Sequence, residues 1–548
     1  MNRRRFLASA ALGSASWAAD TKPNQILTNG VIYYKPEGGS FARCQALAIA
    51  GGRIFAFGTN AEMQTLATAS TKRVDLAGRT VLPGFSDSHT HVANAGLRHL
   101  KEVDADLRSI TEIQQAIRQR ATRTPPGQLI RGFKYDDTKT REGRKLNKAD
   151  LDAAAPAHPV LIVHRGGHTS YVNSRLLEIS DINEKTPSPP GGLIVHDESG
   201  RLTGELRETA TRALRVQGVT YNRDDRREGV KLMTRLFAKA GVTSTHDAQG
   251  SPDDLRAYQD AQEQGELYCR VYTLINYRFL DAMIAAGIRT GFGNDWCRVG
   301  AVKLTSDGSI SERTARLADP YIGRPNDRGI QVMTEAELYE HARKAHLAGW
   351  QIGTHANGDE GIDVALRVYE RLHREHPRKD PRFRLEHCTM VTAKLLDRMK
   401  AVNAIPTPFW TYVYYHGEKM AEYGDERLNR MFAMRSFLDH GIRVAPGSDY
   451  VPGPFEPMMA LQSCVTRTDI RGKVWGPKQK IGVAEAIYAS TINGAYASYE
   501  EDRKGTLEPG KFADLVVLSQ DPFKADPSKL IEISNERTMI GGRWVWES

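Results

Sequence analysis

The sequence predicts an α/β fold built on parallel strands, with a smaller β unit assembled from both ends of the chain. Two observations support this prediction. The middle of the 548-residue chain alternates short apolar runs with longer amphipathic runs, a pattern typical of βα units in a parallel sheet or barrel. Both ends instead carry short apolar runs joined by two-glycine turns, and chain termini often lie close together in space.

Composition and charge are ordinary for a globular protein. Hydrophobic residues make up 40% and charged residues 26% of the chain, and the net charge is +9. No basic block with interleaved aromatic residues occurs, so we expect no nucleic-acid partner. No apolar run approaches the roughly 18 residues that a membrane span needs. Five cysteines without a Cys-x-x-Cys pair argue against a disulfide framework or a thiolate zinc site.

The first residues have the pattern of an export signal. Arg3, Arg4 and Arg5 precede a weakly apolar stretch rich in alanine, serine and glycine. This resembles a twin-arginine signal peptide covering residues 1–19, with a disordered basic tail as the alternative. We therefore expect a periplasmic or otherwise exported protein, and residues 1–19 are excluded from the fold prediction.

Residues 20–81 and 505–548 are predicted to form one small composite β domain. Near the N-terminus, residues 46–50 and 53–57 flank Gly51-Gly52, which predicts a hairpin with a two-residue turn. Near the C-terminus, residues 538–540 and 543–546 flank Gly541-Gly542 in the same way, and residues 514–518 form a further strand.

The middle of the chain, residues 82–504, is predicted to alternate strands and helices. Residues 299–304, 352–355 and 382–387 have the apolar pattern of strands. Residues 334–348 have helical spacing, and Thr334 with Glu337 three positions later is the signature of a capped helix start. This order of elements is that of consecutive βα units.

Polar residues stand where the predicted strands of this segment end. A histidine pair one residue apart on a strand presents both imidazoles to one face. Because the strands of a parallel barrel end at the same rim, we expect these side chains to meet there. Each residue alone is consistent with a structural role, and the joint order is the stronger signal. In chain order they are His89, His91, Lys303, His355, His387 and Asp449.

Spacing along the chain agrees with a barrel that carries an insertion. A βα unit takes about 31 residues, and His355 and His387 are 32 positions apart. By contrast, 212 positions separate His91 from Lys303, where three units would need about 93. We therefore predict an inserted subdomain at about residues 98–215, between the first and fourth strands.

The motifs together resemble the amidohydrolase superfamily of metal-dependent hydrolases, and within it the branch that includes N-substituted formamide deformylase. The resemblance implies a (β/α)8 TIM barrel with a domain inserted after strand 1, plus a β-sandwich built from both chain ends. The matching motifs cover nearly the whole chain after the signal. They are residues 83–91, 167–168, 172–174, 245–248, 303, 307–309, 354–359, 385–388, 447–449 and 507–515.

The resemblance also implies a centre of one or two divalent ions, with zinc the expected metal. Carboxylation of Lys303 would turn it into an anionic bridge between two ions, whereas an unmodified lysine would leave one. Asp449 would both bind metal and transfer a proton from the attacking water to the leaving group. Metal would lower the pKa of the water toward about 7 and polarise the substrate carbonyl. The six implied ligands are His89, His91, Lys303, His355, His387 and Asp449.

Three further residues are predicted to contact a small-molecule substrate. His168 lies in the predicted inserted subdomain. Trp410 and Tyr412 belong to an aromatic-rich segment after the predicted seventh strand, and aromatic side chains supply buried area in pockets. Loop packing or a subunit contact in a homo-oligomer is the alternative for that segment. His246 is expected either to lie behind the metal ligands or to be a structural residue of the third strand.

The expected activity is metal-dependent hydrolysis of a C–N bond other than a peptide bond, in an N-substituted amide or formamide. Ester, carbamate or lactone hydrolysis, or deamination, would use the same residues. An alternative from another class is a non-catalytic binding or regulatory protein whose barrel has lost its catalytic activity. Loss of metal ligands would favour that alternative, and all six expected ligands are present.

Overall fold

The structure is a computed structural model that describes residues 22–37, 40–165, 167, 169–189, 192–215 and 219–548. The predicted signal peptide, residues 1–19, and His168 lie outside the described residues, so export stays a prediction. The chain divides into two compact units, one containing residues up to His91 and from Thr234 to Ser548, the other containing Val92–Met233. Within the described ranges, no helix combines the length and apolarity needed to cross a membrane.

The strands, in chain order, are β1 Gln25–Thr28, β2 Val31–Glu37, β3 Ser40–Cys44, β4 Ala46–Ala50, β5 Arg53–Gly58, β6 Lys72–Asp75, β7 Thr80–Pro83, β8 Phe85–Thr90, β9 Val103–Asp104, β10 Ile130–Tyr135, β11 Val160–His164, β12 Thr169–Val172, β13 Gly192–His196, β14 Leu202–Glu208, β15 Val242–Gly250, β16 Arg270–Asn276, β17 Cys297–Thr305, β18 Ile352–Ala356, β19 Arg384–His387, β20 Ile405–Thr407, β21 Leu515–Leu518, β22 Asn535–Ile540 and β23 Arg543–Glu547.

The α-helices are Asn60–Gln64, Val92–Lys101, Ile110–Ala121, Lys148–Ala154, Ser174–Ile179, Arg223–Ala240, Pro252–Glu263, Leu280–Ala285, Glu335–Leu347, Asp359–Glu375, Ala393–Ala401, Tyr412–Tyr415, Gly424–Leu428, Met434–Asp439, Pro457–Thr466 and Val483–Ala497. Short 3-10 helices lie at Asp137–Lys139, Thr209–Ala213, Tyr277–Phe279, Gly417–Glu422, Pro477–Gln479 and Pro527–Glu532.

Seven parallel strands of the first unit form a nearly closed barrel, which confirms the predicted fold class. Neighbouring strands follow the order β8, β15, β16, β17, β18, β19, β20. Helices connect most of these strands, as in consecutive βα units. His246 lies on β15, the second strand of the barrel, so the alternative that made it a residue of the third strand was wrong.

Residues 442–449 take the place of an eighth strand: they close the gap between β20 and β8 without forming a regular strand. The N–H groups of Ala445 and Gly447 donate at 3.0 Å to the carbonyls of residues 406 and 408, both prolines. On the other side, the Ser88 N–H donates to Pro446 O at 3.1 Å and the Asp449 N–H donates to His89 O at 2.7 Å. Because proline has no N–H, residues 406, 408 and 446 leave the ladder incomplete.

Both chain ends contribute strands to two sheets that share one core. The four-stranded sheet has the order β5-β4-β1-β6, and the six-stranded sheet has the order β23-β22-β21-β7-β2-β3. The N-terminal β7 pairs antiparallel with the C-terminal β21. Leu27 and Leu47 of the first sheet and Leu515 and Met539 of the second belong to one buried cluster. The β4–β5 and β22–β23 hairpins lie where the paired glycines predicted them.

A buried ion pair ties this β domain to the barrel. Arg270 of β16 donates from Nε and Nη2 to the carboxylate of Asp514, which directly precedes β21, at 2.6 and 2.9 Å. Both side chains are 4% exposed. The Gly541 N–H of the β22–β23 turn also donates to Asp514 Oδ1 at 2.8 Å, so one carboxylate joins three segments.

The second unit has its own six-stranded sheet, with the order β13-β14-β12-β11-β10-β9. Strands β9, β10 and β11 are parallel, and the remaining pairs are antiparallel. Its limits, Val92 and Met233, fall outside the predicted range of about 98–215. The difference arises because the unit begins with the helix Val92–Lys101, directly after the histidine pair, and includes part of the helix Arg223–Ala240.

Candidate metal centre

The ends of the barrel strands bring the predicted histidines together. His89 and His355 lie one residue before the ends of β8 and β18, and His387 ends β19. The ring centres of His89 and His387 are 4.5 Å apart, and those of His387 and His355 are 4.4 Å apart. The His91 ring follows at 5.7 Å from that of His89. Four imidazoles therefore line one rim.

Asp449, at the end of the closing segment, faces the histidine pair of β8. Its Oδ1 lies 3.0 Å from His91 Nε2 and 3.6 Å from His89 Nε2. One ligand atom from each of these three residues lies within 4.8 Å of the others, a spacing at which they could hold a metal ion. Two imidazoles and a carboxylate are a donor set suited to zinc and similar divalent ions.

Lys303 of β17 lies inside this cluster. Its side chain is buried, and Nζ lies 3.2 Å from His89 Nε2. Burial lowers the pKa of Lys303 to about 8, although the carboxylates of Glu386 and Asp449 act in the opposite direction. A lysine in this position is more readily deprotonated than one in water, and carboxylation requires the neutral amine.

Hydrogen bonds fix which nitrogen of three histidines faces the cluster. His89 Nδ1 lies 2.5 Å from Glu386 Oε2, and His91 Nδ1 lies 2.8 Å from the Ala248 carbonyl, which leaves Nε2 of each toward Asp449. His355 Nε2 lies 3.0 Å from the Gly308 carbonyl and 3.1 Å from Asn357 Nδ2, so both contacts use Nε2 and Nδ1 faces the cluster. These tautomers are assigned from the hydrogen-bond partners. Outer partners of this kind orient histidine ligands in metal sites.

The electrostatics favour neutral imidazoles at His89, His355 and His387 and an ionised carboxylate at Asp449, whereas the hydrogen bond and charge of Asp449 outweigh burial and raise the pKa of His91. Burial, followed by the nearby Lys303 cation, lowers the pKa of His89 and of His355 to about 4. Burial and the neighbouring imidazoles hold the pKa of His387 well below its usual value. Burial would raise the pKa of Asp449, but the hydrogen bond and charge of His91 outweigh it and lower that pKa. Neutral imidazole and ionised carboxylate are the forms that bind metal.

Two of the predicted ligands have left-handed backbones. His387 has φ = 70°, followed by Cys388 with φ = 40°, and Asp449 has φ = 51°. By strand alternation His387 would share a face with the core residue Leu385 and not with Glu386. The turn at His387 lets both Glu386 and His387 contact the His89 ring. Sparse backbone conformations of this kind concentrate at functional sites.

Two buried aspartates hold the backbone around the ligands. Asp87 accepts hydrogen bonds from Ser448 Oγ and N at 2.5 and 2.9 Å, which fixes the segment that carries Asp449. Asp307 accepts the N–H groups of Asn357 and Gly358, each at 2.8 Å, just before the helix Asp359–Glu375. Burial raises the pKa of both carboxyls to about 7. The hydrogen bonds of Asp307 hold the backbone directly after β18.

The aromatic segment after β20 differs from the prediction in which ring reaches the cluster. Trp410 is 2% exposed and packs in the main hydrophobic core. Tyr412 is also buried, and its hydroxyl lies 2.7 Å from Ser311 Oγ. Phe409, which is half-buried, stacks on His387 with ring centres 4.6 Å apart and planes 16° apart. Phe409 and Glu386 were missed, although each is adjacent in sequence to a residue that was singled out.

Comparisons with known proteins agree with this geometry. A family model described as "Amidohydrolase family" matches residues 72–546. The chain is 29% identical over 535 residues to "Putative amidohydrolase YtcJ" of Bacillus subtilis (strain 168), which covers 94% of this chain and 98% of that protein. It is 27% identical over 515 residues to "N-substituted formamide deformylase" of Arthrobacter pascens, covering 91% and 94%.

A solved structure shares the fold over nearly the same length. It is an uncharacterized metal-dependent hydrolase from Pyrococcus horikoshii OT3, with a TM-score of 0.74 and 26% sequence identity. The match covers 92% of this chain and 99% of that one.

Proposed function

The chain belongs to the amidohydrolase family, and from this premise we propose that it is a metal-dependent hydrolase of C–N bonds other than peptide bonds. The proposed substrates are small N-substituted amides or formamides. The relative named N-substituted formamide deformylase, 27% identical over most of both chains, supports that choice of bond.

One observation carries the proposal: three histidine rings, two of them buried and that of His355 half-buried, lie 4.4 and 4.5 Å apart where barrel strands end, beside the His91–Asp449 contact of 3.0 Å. In barrels of this kind chemistry takes place at that rim. Neutral imidazoles packed against one another gain little unless a cation binds their lone pairs.

The donor set fits one or two divalent ions, for which we propose zinc. Bound there, the metal would lower the pKa of a water and polarise the substrate carbonyl. Lys303, once carboxylated, would bridge two ions, because its Nζ already lies 3.2 Å from His89 Nε2. The proposed ligands are His89, His91, Lys303, His355, His387 and Asp449.

Asp449 is proposed to move the proton. Its carboxylate takes a proton from the attacking water as the water oxygen bonds to the carbonyl carbon. The tetrahedral intermediate then breaks at the C–N bond, and Asp449 returns the proton to the amine nitrogen. The products are a carboxylic acid, which is formate when the substrate is a formamide, and a free amine.

Phe409 is proposed as an apolar wall for the substrate, because it is half-buried and stacks directly on His387. Tyr412 packs behind it, with ring centres 5.5 Å apart. Aromatic walls of this kind favour substrates with an apolar or aromatic substituent.

Metal removal and a leaving-group panel test the proposal. Chelated, dialysed protein is expected to lose turnover of N-substituted formamides, and zinc is expected to restore it. Reconstitution with bicarbonate should raise the bound zinc from one to two equivalents if Lys303 is carboxylated. The panel would consist of compounds that carry the same apolar substituent but differ in the bond to be hydrolysed: a formamide, an acetamide, an ester, a carbamate, a lactone and a ring amine. Full turnover without metal, or faster turnover of the ester or ring amine than of every amide, would contradict the proposal.

A further inference from the structure

We propose that Arg384 and Glu386 form a buried positioning pair that holds His89 in one tautomer and one orientation, and so sets the affinity of the centre for metal. This inference rests on the proposed metal site. It concerns two residues that bind neither metal nor substrate.

Glu386 contacts His89 directly and has no freedom to move. Its Oε2 lies 2.5 Å from His89 Nδ1 and accepts a hydrogen bond from Thr407 Oγ1 at 2.7 Å. Arg384 donates from Nε to Oε1 at 2.7 Å and from Nη2 to Oε2 at 3.2 Å. The side chains of Arg384 and Glu386 are 0% exposed. The carboxylate is therefore held by four donor atoms on three different residues.

Arg384 is itself tied to two other barrel strands. Its Nη2 donates to the Ser88 carbonyl of β8 at 2.6 Å. Its Nη1 lies 2.9 Å from His246 Nδ1 on β15. Since Arg384 can only donate, His246 Nδ1 accepts and its proton sits on Nε2. One guanidinium thus links β19, β8 and β15 directly behind the metal cluster.

The consequence for His89 is a fixed direction of its lone pair. The carboxylate of Glu386 can only accept, so Nδ1 of a neutral His89 carries the proton. The Nε2 lone pair then points at the site, where Lys303 Nζ lies 3.2 Å away and Asp449 Oδ1 lies 3.6 Å away. Carboxylate–histidine–metal arrangements of this form raise ligand basicity and fix ring orientation.

The neighbouring strand leaves room for this carboxylate. A Cβ added to Gly353 of β18 would lie 2.7 Å from Glu386 Oε1. Because the carboxylate is held by several hydrogen bonds, it has no free space into which to retreat. The sequence therefore places glycine where a side chain would displace the pair.

A purely structural role is the alternative, and the molecule contains a matched control for it. Arg270 and Asp514 form an equally close pair, with contacts of 2.6 and 2.9 Å and 4% exposure, that joins the barrel to the β domain. Asp514 is not one of the six proposed ligands and contacts none of them in the described structure. Breaking either pair leaves a buried charge uncompensated and destabilises the fold, but only E386Q should change metal binding.

The experiment measures zinc affinity of metal-free full-length protein by competition with a chromophoric chelator, alongside thermal unfolding. E386Q is expected to lower zinc affinity about 10- to 100-fold, the range seen when such outer partners are removed. G353A should lower it in the same direction. D514N should lower the unfolding temperature and leave zinc affinity within twofold of the wild type.

If E386Q fails to fold, R384Q/E386Q removes both buried charges together and should restore folding while zinc affinity stays low. A second readout is the nitrogen-15 spectrum of histidine-labelled, metal-free protein, with the His89 signal identified from its loss in H89N. The wild type should show His89 protonated at Nδ1. Wild-type zinc affinity in a folded E386Q or R384Q/E386Q protein would overturn the inference alone, whereas a wild type that binds no zinc would overturn the proposed metal site as well.

Discussion

Asp449 combines a charge with a backbone conformation that few residues adopt. Its φ of 51° lies in the left-handed region, and its N–H donates to the His89 carbonyl at 2.7 Å. Asparagine is the side chain that best tolerates this conformation apart from glycine. Replacement by asparagine therefore removes the charge and the proton acceptor while retaining the turn.

We expect D449N to lower kcat about 10²- to 10⁴-fold, the usual contribution of a positioned acid–base group, with the fold unchanged by circular dichroism. The matched control is D439N, since the Asp439 side chain is 60% exposed and pairs with Arg435 on a surface helix. Wild-type turnover in D449N would contradict the assigned proton transfer.

Phe409 and Trp410 are adjacent but differ in what they contact. F409A should raise KM for substrates with a bulky apolar substituent more than for the smallest formamide. Expressed as kcat/KM, the loss for the bulky substrates should correspond to about 1–3 kcal/mol. W410F should lower the unfolding temperature and leave that preference unchanged, because Trp410 is 2% exposed and packs in the core. Steady-state kinetics across a substituent series checks both variants, and equal KM shifts for large and small substrates in F409A would count against the apolar wall.

Residue type and order were enough to predict the six residues of the cluster, but not what surrounds them. Glu386 was missed because strand alternation puts it on the opposite face from His387. The left-handed turn at His387 cancels that alternation, and no local pattern announces such a turn at a histidine. Phe409 was missed for a related reason, since which of two adjacent aromatic rings faces a site depends on loop geometry.

At the scale of elements, helices with cap signals were the most predictable. The helix Glu335–Leu347 begins at the Thr334–Glu337 capping box that its sequence predicts. The eighth strand was not predictable in detail, because three prolines remove donors that a regular ladder requires. Close packing of residues 442–449 against β8 replaces part of that ladder. A Cβ on Gly447 would lie only 2.4 Å from the backbone nitrogen of His89.

We therefore expect G447A to push the closing segment away from β8, with a loss of about 1–3 kcal/mol in the free energy of unfolding and weaker zinc binding. G482A is the control, because its Cβ would meet only Glu485 Oε2 at 3.4 Å. Loss of the N-cap glycine should cost about 0.5–1 kcal/mol and leave zinc binding unchanged. Chemical unfolding and zinc titration measure the two effects. Equal unfolding free energies and equal zinc affinities in G447A and G482A would show that the close contact at Gly447 is not required for stability or metal binding.

Glu500, which follows the helix Val483–Ala497, is expected to make the free energy of unfolding depend on pH. Burial would raise the pKa of Glu500, but Lys504 at 2.7 Å and Arg298 at 3.7 Å outweigh it and hold that pKa below its ordinary value. A depressed carboxyl pKa contributes stability above the unfolded pKa, about 4.3 for glutamate, and loses it as pH falls through the folded pKa.

E500Q should accordingly be less stable than the wild type at pH 7, by about 3–5 kcal/mol for a broken buried pair. The difference should shrink as pH falls below about 4. Urea unfolding of both proteins between pH 7 and pH 3 tests this, with E426Q, whose side chain is 78% exposed, as the control. A difference that stays constant with pH would contradict the depressed pKa.

For the whole molecule, chain spacing predicted an inserted unit and paired glycines predicted a β domain from both ends. The limits of the insertion were harder to place, because the helix Val92–Lys101 starts directly after His91 with no linker. The β domain depends on both termini, since β21, β22 and β23 make up half of its six-stranded sheet.

A chain that ends at Glu508 should therefore be insoluble or highly protease-sensitive, because β7 would become an exposed apolar edge. A chain that lacks only Ser548 keeps all strands and should behave like the full-length protein. Soluble yield and limited proteolysis compare the two. Recovery of a compact truncated protein would show that the N-terminal strands form a stable sheet without β21.

The pairing of β7 with β21 joins Val81 to Val517, residues 436 positions apart. A ribosome adds about 5–20 residues per second, so the first strands wait roughly 20 to 90 s for their partner to be synthesised. During that interval the nascent chain presents an unpaired apolar edge, which is a target for holding chaperones. Slower translation of the C-terminal part of the messenger RNA would therefore prolong this exposure and lower the fraction of the polypeptide that reaches its native state.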